Sequence, residues 1–282
     1  MIRSVNFSMM LVLSCLVFAG CSDELPNQAG SEDSAATDSA SAATTEETDT
    51  SENDQEPTKP SLPAMSSDAF RGAAHDGRLS RVQAAIESGM DVDSTESVTK
   101  RTPLHFAALN GHAKVVEYLV EQGAVLETRD FQEWTPLIFA SYNGHTDVVD
   151  FLIKKGATVE ARDGNGMTPL MHACTGPFSE TVKRLIKAGA DVNAKESTES
   201  FTPIMLAAGE GQMEVAKILL ENGADKNARD DDEDLAADHA RKKGHSAMVE
   251  LLSDDDSNEE KPEKEETSNE EAAEETPAND DQ

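Results

Sequence analysis

Histidine and acidic side chains are the residues of this chain best suited to metal or acid–base chemistry. The 282-residue sequence contains 7 His. Four of them recur at fixed places beside Thr-Pro or Gly residues and have no dedicated carboxylate partner in sequence: His105, His112, His145 and His245. Recurrence without such a partner favours structural hydrogen bonds over metal ligation.

The acidic run from Asp230 to Asp234 could attract calcium. It lacks the spaced ligands and the glycine of a calcium-binding loop, so the pattern favours a solvated acidic loop. We expect no resident metal.

The three cysteines predict no disulfide. Cys15 and Cys21 lie near the amino terminus, and Cys174 follows Ala173 at a small-residue position farther along the chain. A cysteine in that setting is typically a buried, inert thiol rather than a nucleophile.

Catalytic motifs are absent from the sequence. It has no Gly-rich phosphate loop, no His-Glu-x-x-His, no Gly-x-Ser-x-Gly and no Cys-x-x-Cys. We therefore expect a protein that is not an enzyme and has no cofactor, whose function lies on a surface.

That surface is built from a phrase repeated about every 33 residues, which is typical of a stacked repeat array. Thr-Pro begins each phrase: Thr102-Pro103, Thr135-Pro136, Thr168-Pro169 and Thr202-Pro203. A Thr hydroxyl can accept a hydrogen bond from an unpaired helix amide, and Pro at the next position has no amide to leave unpaired. Each Thr-Pro therefore predicts the start of a helix.

A second helix follows in each period. Gly111 and Gly144 predict turns between the helices, because glycine tolerates positive φ. Val115, Val116 and Leu119 then share one face of a helix that ends at Gly-Ala. The polar stretch before the next Thr-Pro, such as 129–134, predicts a projecting loop, which we call a finger.

These residues resemble the ankyrin repeat. The segment 102–124 and the phrase Ala190-Asp-Val-Asn-Ala194 match that family's pattern, and the resemblance covers about 67–253. Four full repeats start near Ser97, Asp130, Asp163 and Ser197, between divergent end repeats that suit caps. The resemblance implies an all-α solenoid that binds other proteins through its concave face.

Aromatic residues concentrate on the concave face that the resemblance implies. The candidate partner-binding residues are Phe106, Asn110, Phe131, Trp134, Phe139, Tyr142 and Asn143. Aromatic side chains often anchor interfaces. Phe106 and Phe139 could instead pack between neighbouring helices, whereas Trp134, at a finger tip, and Tyr142 are expected to be accessible.

The first 21 residues resemble a bacterial lipoprotein signal. Arg3 precedes the apolar run 9–19, which is too short for a comfortable membrane span, and Ala19-Gly20 precedes Cys21. The resemblance implies lipidation at Cys21. An ordinary secretory peptide cleaved after Ala19 and an uncleaved anchor remain alternatives.

Two acidic segments flank the repeats predicted over 67–252. Residues 22–66 and 253–282 have few large apolar side chains, so both are predicted to be disordered. The net charge of −31 disfavours binding to nucleic acid.

Together these patterns predict a lipid-anchored module of the bacterial cell envelope that faces the extracytoplasmic side and binds a protein partner. A secreted protein is the alternative location. The alternative functions are a structural or envelope-maintenance lipoprotein, with the repeats as spacer or self-association surface, and a non-catalytic regulator of a partner enzyme.

Overall fold

The computed structural model describes residues 65–253 and contains twelve α-helices and no β-strand in that range. In chain order the helices are α1 Ser67–His75, α2 Leu79–Glu87, α3 Pro103–Leu109, α4 Ala113–Glu121, α5 Pro136–Tyr142, α6 Thr146–Lys154, α7 Pro169–Cys174, α8 Ser179–Lys187, α9 Pro203–Gly209, α10 Met213–Glu221, α11 Ala236–Lys243 and α12 Ser246–Leu252. They form six helix–turn–helix pairs, so the predicted repeat succession is present. Residues 1–21, for which a lipoprotein signal is predicted, nearly all of 22–66 and residues 254–282 lie outside the described range.

Threonine caps begin the central first helices. The hydroxyl groups of Thr102, Thr135 and Thr168 accept hydrogen bonds from the amide three residues later, at 3.3 to 3.4 Å. Pro follows each of these residues at the first helical position. Local sequence therefore fixes where the helices start, as predicted.

The core lies between helices of successive repeats. Leu104, Leu137, Leu170 and Ile204 occupy equivalent places after the caps and are at most 1% exposed. The small pairs that follow them, such as Ala107-Ala108, are fully buried and let first helices approach closely. Each repeat thus buries its apolar face only against its neighbours.

The turns between paired helices tie one repeat to the next. Gly111 has φ of +71°, and a Cβ there would lie 2.4 Å from the His145 ring. Glycine is needed for both the conformation and the close approach. Phe178 takes the place of that histidine in the repeat that contains α7, and its ring packs against Gly144.

No helix within residues 65–253 is long and apolar enough to cross a bilayer.

Candidate functional site

The fingers form one continuous row. We number their tips 1 to 5: residues 96–101, 130–134, 163–167, 196–201 and 230–234. The Phe131 amide donates to the Thr99 carbonyl at 2.9 Å, and equivalent bonds of 2.9 to 3.1 Å join the remaining neighbours in the row. Side chains at equivalent finger positions therefore form rows along this face.

One carboxylate organises the turn of finger 2. Oδ1 of Asp130 accepts from the amides of Gln132 and Trp134, at 2.8 and 3.0 Å. Glu133 has a φ of 63°, in the left-handed region that reverses the chain. Asp163 and Asp230 accept two amides in the same way in fingers 3 and 5.

The second oxygen of each of these aspartates faces a basic side chain. Nε of Arg101 donates to Asp130 at 3.1 Å, and both side chains are buried. His172 and His239 take that role for Asp163 and Asp230, with Nε2–Oδ2 distances of 2.9 and 2.7 Å. Burial alone would raise the pKa of Asp163, but the hydrogen bond from His172 and those from backbone amides hold it below the ordinary value. The two histidine pairs fasten fingers 3 and 5 to the helices that follow them, and the Arg101–Asp130 pair joins fingers 1 and 2.

The side chain of Trp134 does not project from the finger tip, and the expectation that it is accessible is wrong. The turn at Glu133 directs the next residue inward, so Trp134 is only 8% exposed. Its ring packs 4.5 Å from the His172 ring, 4.9 Å from Phe139 and 5.4 Å from Tyr142, between centroids. Trp134 therefore supports the surface from beneath.

Two other aromatic candidates also pack inside the array. Phe106 and Phe139 are buried, which is the packing role left open for them by the sequence. The ring of Phe139 lies edge-on to His105, and the Arg101 guanidinium lies 4.7 Å from the Phe139 centroid. They support the concave face but contribute little exposed area to it.

The two asparagine candidates cap helix ends. Asn110 donates through Nδ2 to the Phe106 carbonyl and Asn143 to the Phe139 carbonyl, each at 3.0 Å. Both side chains are half-buried, so their amides are already committed to the helices.

Phe131, Val98 and Tyr142 form the accessible part of the face. Phe131 is 59% and Val98 79% exposed, on neighbouring finger tips, and Tyr142 is half-buried beside Trp134. Sequence reasoning missed Val98. The signal was available, because Val98 stands one 33-residue period before Phe131.

The periodic histidines link repeats. His112, His145 and His245 place Nε2 within 2.8 to 3.2 Å of a carbonyl oxygen in the preceding repeat. The Thr102 N–H donates to Nδ1 of His105. Nε2 of His105 lies 3.1 Å from the carbonyl oxygens of both Thr128 and Trp134. Such a ring suits the neutral form, with the proton on Nε2.

Protonation of His105 should weaken the fold in acid. Burial lowers the pKa of His105 to about 4. Because the folded value lies below the unfolded value of about 6.5, the stabilisation is complete above pH 6.5 and is lost as the pH falls towards 4. The loss should reach about 3 kcal/mol at the acid end.

The test is urea unfolding from pH 4 to pH 7 of wild type and His105→Met. Met is a suitable replacement, because Met171 and Met205 hold the same helix position and place sulfur 3.4 Å from the cap amide. The variant should show a shallower pH dependence by about one proton. Equal slopes in both proteins would show that His105 is not the group responsible.

Neither the Cys174 thiol nor finger 5 is well suited to nucleophilic chemistry or metal binding. Burial raises the pKa of the Cys174 thiol, so it stays protonated at neutral pH. Asp230, Asp234 and His239 bring their ligand atoms within 4.8 Å of one another, but Lys242 pairs with Asp234 and His239 with Asp230. The His239–Asp230 pair repeats the His172–Asp163 arrangement, which indicates a structural role.

Comparison with known proteins places these features in context. The family model described as Ankyrin repeats (3 copies) matches residues 70–163 and 159–230. Palmitoyltransferase Hip14 of Drosophila melanogaster is 37% identical over 73 residues, 26% of this chain and 11% of that protein. The mouse and human proteins named Ankyrin repeat domain-containing protein 40 are 44% identical over 55 residues, 20% of this chain and 15% of each relative. The chain therefore spans only 11 to 15% of the length of these relatives.

Proposed function

The chain belongs to the ankyrin repeat family, and from that premise we propose that it is a membrane-tethered, extracytoplasmic module that binds a protein partner through its fingers and first helices. Ankyrin repeats serve protein–protein interaction, so the class of function follows from the family. The surface, the tether and the location are our proposals.

We choose the finger face as the binding surface because Val98 and Phe131 are exposed on it. Val98, Val125 and Phe131 are the large apolar side chains that stay exposed within 65–253, and two of the three lie on adjoining finger tips. An aromatic ring on a rigid turn loses little rotamer entropy when a partner covers it. The finger face thus offers an apolar anchor point.

Packing beneath this anchor favours a preformed site. Trp134 and Phe139 are fixed by contacts with each other and with buried polar groups, and Tyr142 packs on Trp134. A partner would meet Phe131 and Tyr142 already held in place, which reduces the entropic cost of binding. Phe106, Asn110 and Asn143 contribute mainly by holding the helix ends.

The proposal assigns no catalytic step and no cofactor to this chain. In the described repeats, the histidines and finger carboxylates named above are engaged in structural hydrogen bonds, and Cys174 is a protonated buried thiol. In a protein that acts by binding through its surface, these groups would serve to hold the repeats in shape.

Cys21 would supply the tether to the bacterial cell envelope. The small pair Ala19-Gly20 directly before Cys21 supports lipidation, and residues 22–66 would separate the lipid from the repeats. Secretion without a lipid is the alternative location.

Cys21→Ser should abolish membrane partition. We expect wild type to carry the added mass of a lipid and to enter the detergent phase, whereas the variant should lack both properties. Intact-mass analysis and detergent partition of membrane fractions measure this directly. The same mass pattern and partition for both chains would rule out lipidation at Cys21.

Affinity capture from a detergent extract of the cell envelope tests the binding role. The full chain should retain a distinct protein, and Phe131→Ala combined with Tyr142→Ala should reduce its recovery. Glu117→Ala, on the exposed side of α4, is the matched control. Recovery of nothing but further copies of the chain would favour the spacer or self-association alternative.

A further inference from the structure

A cluster of exposed lysines stands out on the outer layer of this acidic chain. Helices α4, α6, α8 and α10 are the second helices of successive repeats, and neighbouring members of this series pack together. Four lysines lie on the middle two helices or directly after them: Lys154, Lys155, Lys183 and Lys187. We call these four residues the lysine patch.

Two acidic groups beside the lysine patch, Asp150 and Glu180, are already paired with an arginine. Arg184 of α8 reaches Asp150 of α6 at 3.3 Å and Glu180 at 2.8 Å. Lys154 follows Asp150 and Lys187 follows Arg184 by about one helical turn, so these two lysines lie next to each other beyond the bridge. Within 65–253 no ion pair is formed by a lysine of the patch.

We propose that residues 254–282 of this chain dock on the lysine patch. This segment follows α12 and contains 12 Glu or Asp in excess of Lys, with 14 acids against Lys261 and Lys264. Glu pairs recur along it at 265–266, 270–271 and 274–275. Its charge is complementary to the patch, whereas Arg241 and Lys242 of the basic run at the end of α11 already pair with Asp238 and Asp234.

The chain path makes the contact reachable. Because every repeat has the same helix order, the second helices run in the same direction. Ser253, the last described residue, therefore follows α12 on the edge where Lys154, Lys155 and Lys187 lie at the ends of α6 and α8. At the usual interaxial spacing of about 8 to 10 Å, α8 is about 20 Å and α6 about 30 Å from α12. About nine extended residues cover 30 Å.

The exposed charged groups that lie between α12 and the lysine patch neither attract nor repel the acidic segment strongly. Lys217 and Glu221 are both exposed on α10, the helix that the segment must cross. The contact lies on the opposite helical layer from Phe131 and Tyr142, so it would leave the finger face open. Single exposed ion pairs are worth little, and the contact depends on several formed together.

Zero-length carbodiimide crosslinking of the full chain, read by mass spectrometry, tests the proposal. Docking should place most crosslinks from the 254–282 carboxylates on the lysine patch, and about 0.5 M salt should reduce them several-fold. If chain proximity alone governs, Lys217 and Lys243 will dominate, because they lie on α10 and α11, the two helices that precede α12 in the repeat order. That distribution would overturn the proposal.

Cleavage of 254–282 by a glutamate-specific protease gives a second readout that does not need the lysines as reactants. Replacing all four patch lysines by Gln should speed cleavage by about threefold or more at low salt. The charge-matched control replaces Lys100, Lys114, Lys217 and Lys243 by Gln and should leave the rate unchanged. Equal rates in all three chains would contradict docking. Crosslinks between isotopically distinct chains in a mixture would instead assign the contact to a second copy.

Discussion

Asp130→Ala is expected to lower the free energy of unfolding by about 3 to 5 kcal/mol, the range for removing one partner of a buried ion pair. The change leaves the Arg101 guanidinium buried without its carboxylate, and Arg cannot shed its charge as His can. It also releases the two finger amides that Oδ1 accepts. No other carboxylate is bonded to Arg101 in residues 65–253.

Asp230→Ala is the matched comparison for denaturant unfolding. Asp230 holds two amides in the same way, but its partner is His239, and an imidazole, unlike a guanidinium, has a neutral form. We therefore expect a smaller loss for Asp230 than for Asp130. Losses of the same size would mean that the amide bonds, and not the buried charge, dominate this position.

Trp134→Ala should cost about 3 to 5 kcal/mol, the usual range for truncating a buried large aromatic side chain. The ring contacts Phe139, Tyr142 and His172, and a cavity there would loosen the finger and two first helices together. Thermal and urea unfolding measure the loss.

Phe131→Ala is the control for that experiment, three residues away on the same finger. Its ring is largely exposed, so we expect a change within about 0.5 kcal/mol. A Trp134 variant as stable as the Phe131 variant would show that Trp134 faces solvent after all.

Most of the fold could be predicted from local sequence. Thr-Pro fixes a helix start through bonds within three residues, and the apolar residues after it fall on a buried face regardless of the partner repeat. The all-α ankyrin-repeat solenoid that these patterns predict is confirmed.

The finger side chains were harder to predict, because their directions depend on single residues and long-range partners. One left-handed residue, Glu133, decides whether Trp134 faces solvent or the core. The Arg101–Asp130 pair joins residues 29 apart, and the His172–Asp163 pair uses a histidine outside the periodic set. The Arg101–Asp130 pair has no local signature, whereas the nine-residue spacing of Asp163 and His172 recurs in Asp230 and His239. Sequence reasoning used neither pairing, so it overstated the accessible aromatic area and omitted the buried ion pair.

The affinity of the captured partner for purified variants tests the central claim most directly. Phe131→Ala combined with Tyr142→Ala should weaken binding by more than about 2 kcal/mol, or roughly 30-fold, if these rings anchor the interface. The double variant should unfold close to wild type, and Glu117→Ala should bind as wild type does. Equal affinity of all three chains would contradict a binding site on the finger face.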